Sequence, residues 1–211
     1  ANVAVTPRDV TTGTSPLTVT FPKVFQEGTT VLRTSGSGPS PPPDRQAGTP
    51  PVYYEITTTA TYGTGPSDPV KLCINYSAVR FLHENALRLY HFEDDAWKDV
   101  TTSLDPQTDT ICGSTDSFSP FAIFEPVNRP PVAVPNVQSP VECSGNLAGR
   151  VVLDGALSSD ADGDSLAYLW TDAAGSTLSR SAVATLELPL GVYDINLAVS
   201  DPFGATSVAS A

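Results

Sequence analysis

Apolar residues in this chain recur at every second position in runs of strand length, and no window shows a sustained helical period. Leu17, Val19 and Phe21, then Leu72, Ile74 and Tyr76, then Tyr193, Ile195, Leu197 and Val199 each alternate with polar or small residues. That is the pattern of strands with one face in a core. Similar runs at 17–21, 52–62, 70–76, 87–92 and 121–124 are separated by turn residues drawn from 15 Gly and 20 Pro, which favours short strands joined by turns. The fold class expected is all-β. The longest apolar stretches, 121–124 and 151–153, fall far short of the roughly 20 residues of a membrane-spanning helix, so no membrane insertion is expected.

A chain of 211 residues suits two cores, since single cores form in units of roughly 100 to 150 residues. The stretch Asn128-Arg129-Pro130-Pro131-Val132-Ala133-Val134-Pro135 carries three prolines in eight residues, which hold it extended and remove ladder donors. We expect two β-sandwich domains in tandem, 1–127 and 136–211, joined by a Pro-rich linker at 128–135. A second Pro-rich stretch, at about 34–51, has too few strands before it to bound a domain. It is expected as a long surface loop inside the first, in polyproline II conformation. A proline-recognition role for it would need an aromatic groove on a partner.

The formal charge is −12, with 14 acids and 8 bases in 1–127 and 9 acids and 3 bases in 128–211, so each half stands at −6. Such a surface repels phosphate backbones and anionic lipid, and attracts divalent cations. Nucleic acid is not an expected partner. The chain has no Met, and Ala1-Asn2-Val3-Ala4 fits the residues after a signal-peptidase cut or an arbitrary boundary. The ending at Ala205-Thr206-Ser207-Val208-Ala209-Ser210-Ala211 is barely long enough for a last strand, and residue 211 is not expected to be a natural end.

Three cysteines allow one intrachain disulfide. Strand phase puts Cys73 opposite Leu72 and Ile74, and Cys112 opposite Ile111, so both face away from the core. Two such cysteines on strands of one domain fit a surface cross-link in an oxidising compartment better than metal ligation. A Cys73–Cys112 bridge is predicted, leaving Cys143 as a buried free thiol. Glu93-Asp94-Asp95-Ala96 reads as a hairpin tip with solvated carboxylates. His83 and His91 have no Ser or Cys motif nearby, and no catalytic residues are expected. Asn75-Tyr76-Ser77 matches a glycosylation sequon on a strand. Tyr53, Tyr54, Tyr62 and Trp97 are candidates for a sugar-stacking platform, or for strand packing.

From Lys71-Leu72-Cys73-Ile74-Asn75-Tyr76 through Leu87-Arg88-Leu89-Tyr90-His91-Phe92 and Ala96-Trp97-Lys98-Asp99-Val100 to Ser117-Phe118-Ser119-Pro120-Phe121-Ala122-Ile123-Phe124, the first half resembles a repeat of large secreted bacterial proteins. It is also distantly similar to ZU5 and UPA β-sandwiches. In the second half, Val151-Val152-Leu153-Asp154-Gly155, Ser158-Ser159-Asp160-Ala161-Asp162-Gly163-Asp164, Leu166-Ala167-Tyr168-Leu169-Trp170 and 188–199 resemble a PKD domain. The resemblance implies an immunoglobulin-like sandwich in which Trp170 and Tyr193 are core residues and Tyr193 is a tyrosine corner. Both resemblances imply structural or interaction modules without catalytic residues. The loop that the PKD family commonly carries after its Trp is replaced here by Thr171-Asp172-Ala173-Ala174-Gly175.

Asp160, Asp162 and Asp164 alternate around Gly163, placing like charges close enough that solvent or a cation must separate them. Oxygen-only ligands suit calcium better than zinc. The loop is not an EF-hand, because Ser165 and Thr171 stand where the Gly and the bidentate Glu would be. In an immunoglobulin-like strand order, Asp201 and Asn128 fall at the same end, so the expected calcium ligands are Asp160, Asp162, Asp164, Asp201 and Asn128. PKD-like domains with such a loop bind calcium in some members. Bound there, the ion would tie linker to loop and fix the interdomain angle. The function expected is a non-catalytic spacer or adhesion module of a secreted or cell-surface bacterial protein. Its expected partners are neighbouring domains or further copies of itself. One alternative is a self-assembling filament or sheath subunit in which a segment such as 3–10 pairs with a neighbour's sheet edge. Another is a polysaccharide-binding accessory module.

Overall fold

The computed structural model describes residues 2–63, 65, 68–118, 120–138, 141 and 147–211. Cys143, expected as a free thiol, and Ser119 lie outside the described residues. The chain divides into two compact units between Val127 and Asn128. Apart from one 3₁₀ turn at Glu84–Ala86, the regular structure among the described residues is strand.

In chain order the first unit contains β1 (Val3–Val5), β2 (Leu17–Phe21), β3 (Lys23–Gln26), β4 (Thr30–Ser35), β5 (Arg45–Ala47), β6 (Tyr53–Thr58), β7 (Thr61–Gly63) and β8 (Val70–Asn75). These are followed by β9 (Arg88–Glu93), β10 (Ala96–Asp99), β11 (Thr101–Asp105), β12 (Thr110–Thr115) and β13 (Phe121–Pro126). One sheet has the order β1-β2-β8-β12-β11, the other β10-β9-β13-β6-β4 with β5 also on β13, and β3-β7 forms a separate ribbon. Leu17, Val19, Phe21, Leu72, Ile74 and Ile111 of the first sheet share one buried cluster with Leu32, Tyr54, Ile56, Leu89, Phe121 and Ile123 of the second, so the two sheets face each other as a sandwich.

The expected alternation is seen on β8: Val70, Leu72 and Ile74 are buried, Lys71 and Asn75 exposed, and Cys73 half-buried. Cys73 and Cys112 stand directly opposite in the β8–β12 register and form the disulfide, with Cα atoms 4.0 Å apart. The run expected at 52–62 is broken at Thr59-Ala60 into β6, which stays in the second sheet, and β7, which pairs with β3 in the ribbon. The hairpin expected at 93–96 closes with Ala96 opposite Glu93 and both Asp94 and Asp95 at positive φ, 54° and 59°, the backbone of a two-residue hairpin turn. Its carboxylates are not all left to solvent, since Lys98 Nζ reaches both Glu93 and Asp94 at 2.8 Å. The segment 3–10 is used internally: β1 pairs antiparallel with β2, and Asp9 bridges to Leu32.

β6, β9 and β13 carry a second apolar layer on the sheet face turned away from this core. Tyr53, Tyr90, Ala122 and Phe124 form a separate buried cluster with Ala47 and Trp97 packed against it.

The second unit contains β14 (Asn136–Val137), β15 (Ala148–Asp154), β16 (Ala167–Asp172), β17 (Thr177–Ser179), β18 (Val183–Pro189), β19 (Ile195–Ser200) and β20 (Thr206–Ser210). The sheets are β14-β15-β18 and β17-β16-β19-β20, the strand arrangement of an immunoglobulin-like sandwich with its fourth strand on the second sheet. Trp170, fully buried, sits among Leu153, Ile195, Leu197 and Val199, and its indole N–H donates to Ser181 O at 3.1 Å. Tyr193 departs from the expected core position. Its hydroxyl donates to Pro189 O at 3.0 Å, four residues upstream, as a tyrosine corner does, but the side chain is 38 % exposed because it precedes β19 and lies beyond the sheet.

The stretch 128–135, expected as a linker, is not a free tether. Val132 and Ser159 exchange backbone hydrogen bonds of 2.7 and 3.2 Å. Val134 N donates to Ser158 Oγ at 3.0 Å, and Ala133 N donates to Ser207 Oγ at 3.3 Å. Proline removes some donors, but the intervening amides are enough to anneal the stretch onto the second unit.

Candidate metal centre

Buried carboxylates must be neutralised, hydrogen-bonded or bound to a cation. Two in the first unit are satisfied by the protein. Asp9, 1 % exposed, accepts from Thr11 N at 3.0 Å, Thr12 N at 3.2 Å, Thr12 Oγ1 at 2.6 Å and Thr34 N at 3.0 Å, and from Thr34 Oγ1. Burial pushes its carboxyl up, but the bonds from Thr12, Thr34 and Thr11 more than offset this and hold it well below the ordinary carboxylate range. Glu125 accepts from the Leu82 and His83 amides and from Gln46 Nε2. Both pin loops to sheets.

The acids of the second unit are arranged differently. Asp160 Oδ1 accepts from Asp162 N at 2.7 Å and Asp164 N at 3.5 Å, winding the loop after β15 about its own carboxylate. Gly163, at φ +81°, supplies the left-handed residue that this winding requires. Asp201 ends β19. Its Oδ1 caps Phe203 N at 2.8 Å and Ala205 N at 3.0 Å, and its Oδ2 accepts from Asn128 Nδ2 at 2.8 Å. The Asn128 bond holds the Asp201 carboxyl below its usual range against the opposing effect of burial, with help from the Ala205, Phe203 and Gly204 amides.

Because β16 and β19 pair with Ala167 opposite Ser200, the residues just before one strand and just after the other meet at a single end of the sheet. One carboxylate oxygen from each of Asp160, Asp164 and Asp201 lies within 4.8 Å of the other two. Two oxygens at this end lack a protein donor: Asp160 Oδ2 and Asn128 Oδ1 are buried and accept no hydrogen bond. Within the second unit, Asp160, Asp164, Asp201 and the Asn128 carbonyl thus offer a set of hard oxygen donors. That set fits a hard cation of calcium type and lacks the nitrogen and sulfur that zinc prefers.

Asp160, Asp164, Asp201 and Asn128 are brought together, and a carboxylate oxygen of Asp162 lies within 4.8 Å of one of Asp164. Asp162 Oδ2 also accepts from Arg129 N at 2.7 Å, which clamps the chain entering the unit. That role was not visible in sequence, because a backbone amide is available at every residue except proline and leaves no side-chain signature.

Tyr54 is inside the first sandwich core, Tyr53 and Trp97 are on the outer face, and Tyr62 packs with Phe21 and Phe118. The four aromatics therefore form no common sugar-stacking surface. At the far end of the second unit from the acids lies an open apolar groove of about 370 Å³ between Val137, Val151, Leu188, Leu190, Tyr193 and Ile195. No protein-family model matches the chain, and neither a curated protein nor a solved structure matches it.

Proposed function

We propose that this chain is a non-catalytic structural module of an extracellular protein, and that the acidic end of its second unit binds calcium. The observation carrying this reading is the pair of buried, donor-free oxygens, Asp160 Oδ2 and Asn128 Oδ1, beside the grouped carboxylates of Asp160, Asp164 and Asp201. Desolvated oxygens without a donor are costly, and close carboxylates repel. One divalent ion with room for roughly 6 to 8 oxygens answers both costs, with water filling the remaining positions. The ion would join three separate stretches of chain, at Asn128, at 160–164 and at Asp201, fastening the entry of the second unit to its own loops. In this reading the ion's work is mechanical. The Cys73–Cys112 bridge supports an oxidising compartment, and no helix among the described residues is long and apolar enough to cross a membrane. The partners proposed are neighbouring domains of a longer chain or further copies of this one.

Melting of the full chain in calcium and in chelator tests the metal. An ion present at a hundredfold its dissociation constant adds about 2.7 kcal/mol to the state that binds it, which for a unit of this size raises the melting transition by about 10 °C or more. Asp160→Asn and Asp201→Asn should abolish the rise while leaving the transition in chelator within a few degrees. Equal melting with and without calcium, in wild type and variants alike, would remove the metal from the proposal.

A further inference from the structure

The Pro-rich loop of the first unit lies across the outer aromatic layer, and its contacts have the chemistry of proline-segment recognition. Ala122 on β13 stands opposite Tyr53 of β6 on one side and Tyr90 of β9 on the other. A residue with a single methyl between two tyrosines leaves a trough with aromatic walls. Trp97 and Phe124 continue the aromatic surface, with ring centroids 5.0 Å apart and nearly perpendicular planes, and Tyr53 lies 6.1 Å from Trp97. The segment Gly38-Pro39-Ser40-Pro41-Pro42-Pro43 is seated on this face at Gly38 and Ser40. A Cβ built on Gly38 would stand 2.4 Å from Tyr53 Cδ1, so the backbone there lies flat on the ring and only glycine fits. The Trp97 indole N–H donates to Ser40 O at 2.8 Å. An extended, proline-containing chain seated on aromatic rings, with a carbonyl taken by an indole N–H, is how aromatic grooves receive polyproline II ligands.

The occupant is lightly held. Pro39, Pro41 and Pro42 are half-buried, while Ser35, Gly36, Ser37, Gly38 and Ser40 are exposed. Among the described residues, the chain at 36–44 is tied to other parts of the unit by the hydrogen bonds from Trp97 Nε1 to Ser40 O and from Val127 N to Asp44 O at 3.2 Å; Arg45 N to Pro42 O and Ser37 N to Ser35 Oγ are local. Lifting the loop therefore strands few backbone groups away from water, whereas it uncovers Tyr53, which is 8 % exposed.

We propose that the outer face of the β9-β13-β6 sheet is a binding site for an extended proline-rich segment of another protein, occupied in the resting state by the chain's own 38–43. The loop is a built-in competitor that lowers the apparent affinity by the fraction of time it is seated. This proposal does not depend on the calcium reading, since it concerns the first unit alone.

The test uses the full chain and a fluorescein-labelled peptide of the sequence Ser-Gly-Ser-Gly-Pro-Ser-Pro-Pro-Pro-Asp, followed by anisotropy. Gly38→Val, which cannot sit on Tyr53, should bind the peptide at least tenfold more tightly than wild type. Trp97→Phe placed in that background keeps an aromatic ring, loses the N–H, and should weaken binding at least fivefold. A peptide with every Pro replaced by Ala should not bind. Should Gly38→Val fail to fold, a chain with Pro39, Pro41, Pro42 and Pro43 all changed to Ser vacates the face without the added side chain. Absence of saturable binding to either folded variant at millimolar peptide overturns the proposal. So does equal binding by the Trp97→Phe variant. Concentration-dependent dimerisation of the variants in place of peptide binding would assign the face to a second copy and equally overturn it.

Discussion

At Asp9 a single carboxylate joins its own turn to β4 through five donors from Thr11, Thr12 and Thr34, and these bonds are strongest while it is ionised. Its pKa is depressed in the folded state, so its stabilising effect is complete above the unfolded value of about 3.9 and is lost as pH falls through the folded value. The general effect of acidification on a chain of charge −12 runs the other way, because protonation relieves self-repulsion. Thermal melting of the first unit should thus decline below about pH 4, and Asp9→Asn should be less stable at neutral pH and show a shallower decline. An unchanged slope in the variant would assign the acid sensitivity elsewhere. Asp9 attracted no attention in the sequence because its donors come from residues 25 positions away as well as from its own turn. The acids at 160–164 were legible by their density, and Asp201 and Asn128 by the end of the sandwich to which topology assigns them. Asp162 stood in the same dense run, yet its partner is the Arg129 amide.

At the level of elements, alternation was sufficient to locate most strands and to set the phase of β8 and β12, from which the disulfide followed. The bridge closes a separation of 39 residues. In the chain-entropy treatment, a loop of that size restricts the unfolded ensemble by about 3 to 4 kcal/mol. Replacing Cys73 and Cys112 together by Ser should lower the denaturant midpoint of the first unit accordingly, and reductant should reproduce the shift in wild type. A loss under about 1 kcal/mol would show that the ladder between β8 and β12 already restrains the unfolded chain. The outer aromatic layer was legible but not drawn out. Tyr53-Tyr54, Leu89-Tyr90 and Ile123-Phe124 are apolar in both strand phases, which means both faces of that sheet are covered. What covers one of them was hidden, since a stretch of Gly, Ser and Pro carries no periodicity and packs here through the missing side chain of Gly38 and one carbonyl.

For the molecule as a whole, each unit has its own buried cluster drawn from two facing sheets, and composition with periodicity was enough to foresee that much. The beginning of the second unit was harder to place. Three prolines suggested a tether, but the sequence does not display the hydroxyls of Ser158 and Ser207 waiting for the amides between those prolines. In the proposed role of a structural module the chain would be loaded along its length, and the covalent bond between β8 and β12 would then set how far the first unit can yield. When that unit is pulled open from its ends, the stretch between Cys73 and Cys112, 39 residues or about 130 Å of extended chain, is bypassed by the sulfur bridge and bears no tension. Single-molecule stretching should show the rupture step of the first unit lengthen by about that amount in reductant, so oxidation makes the unit a shorter leash.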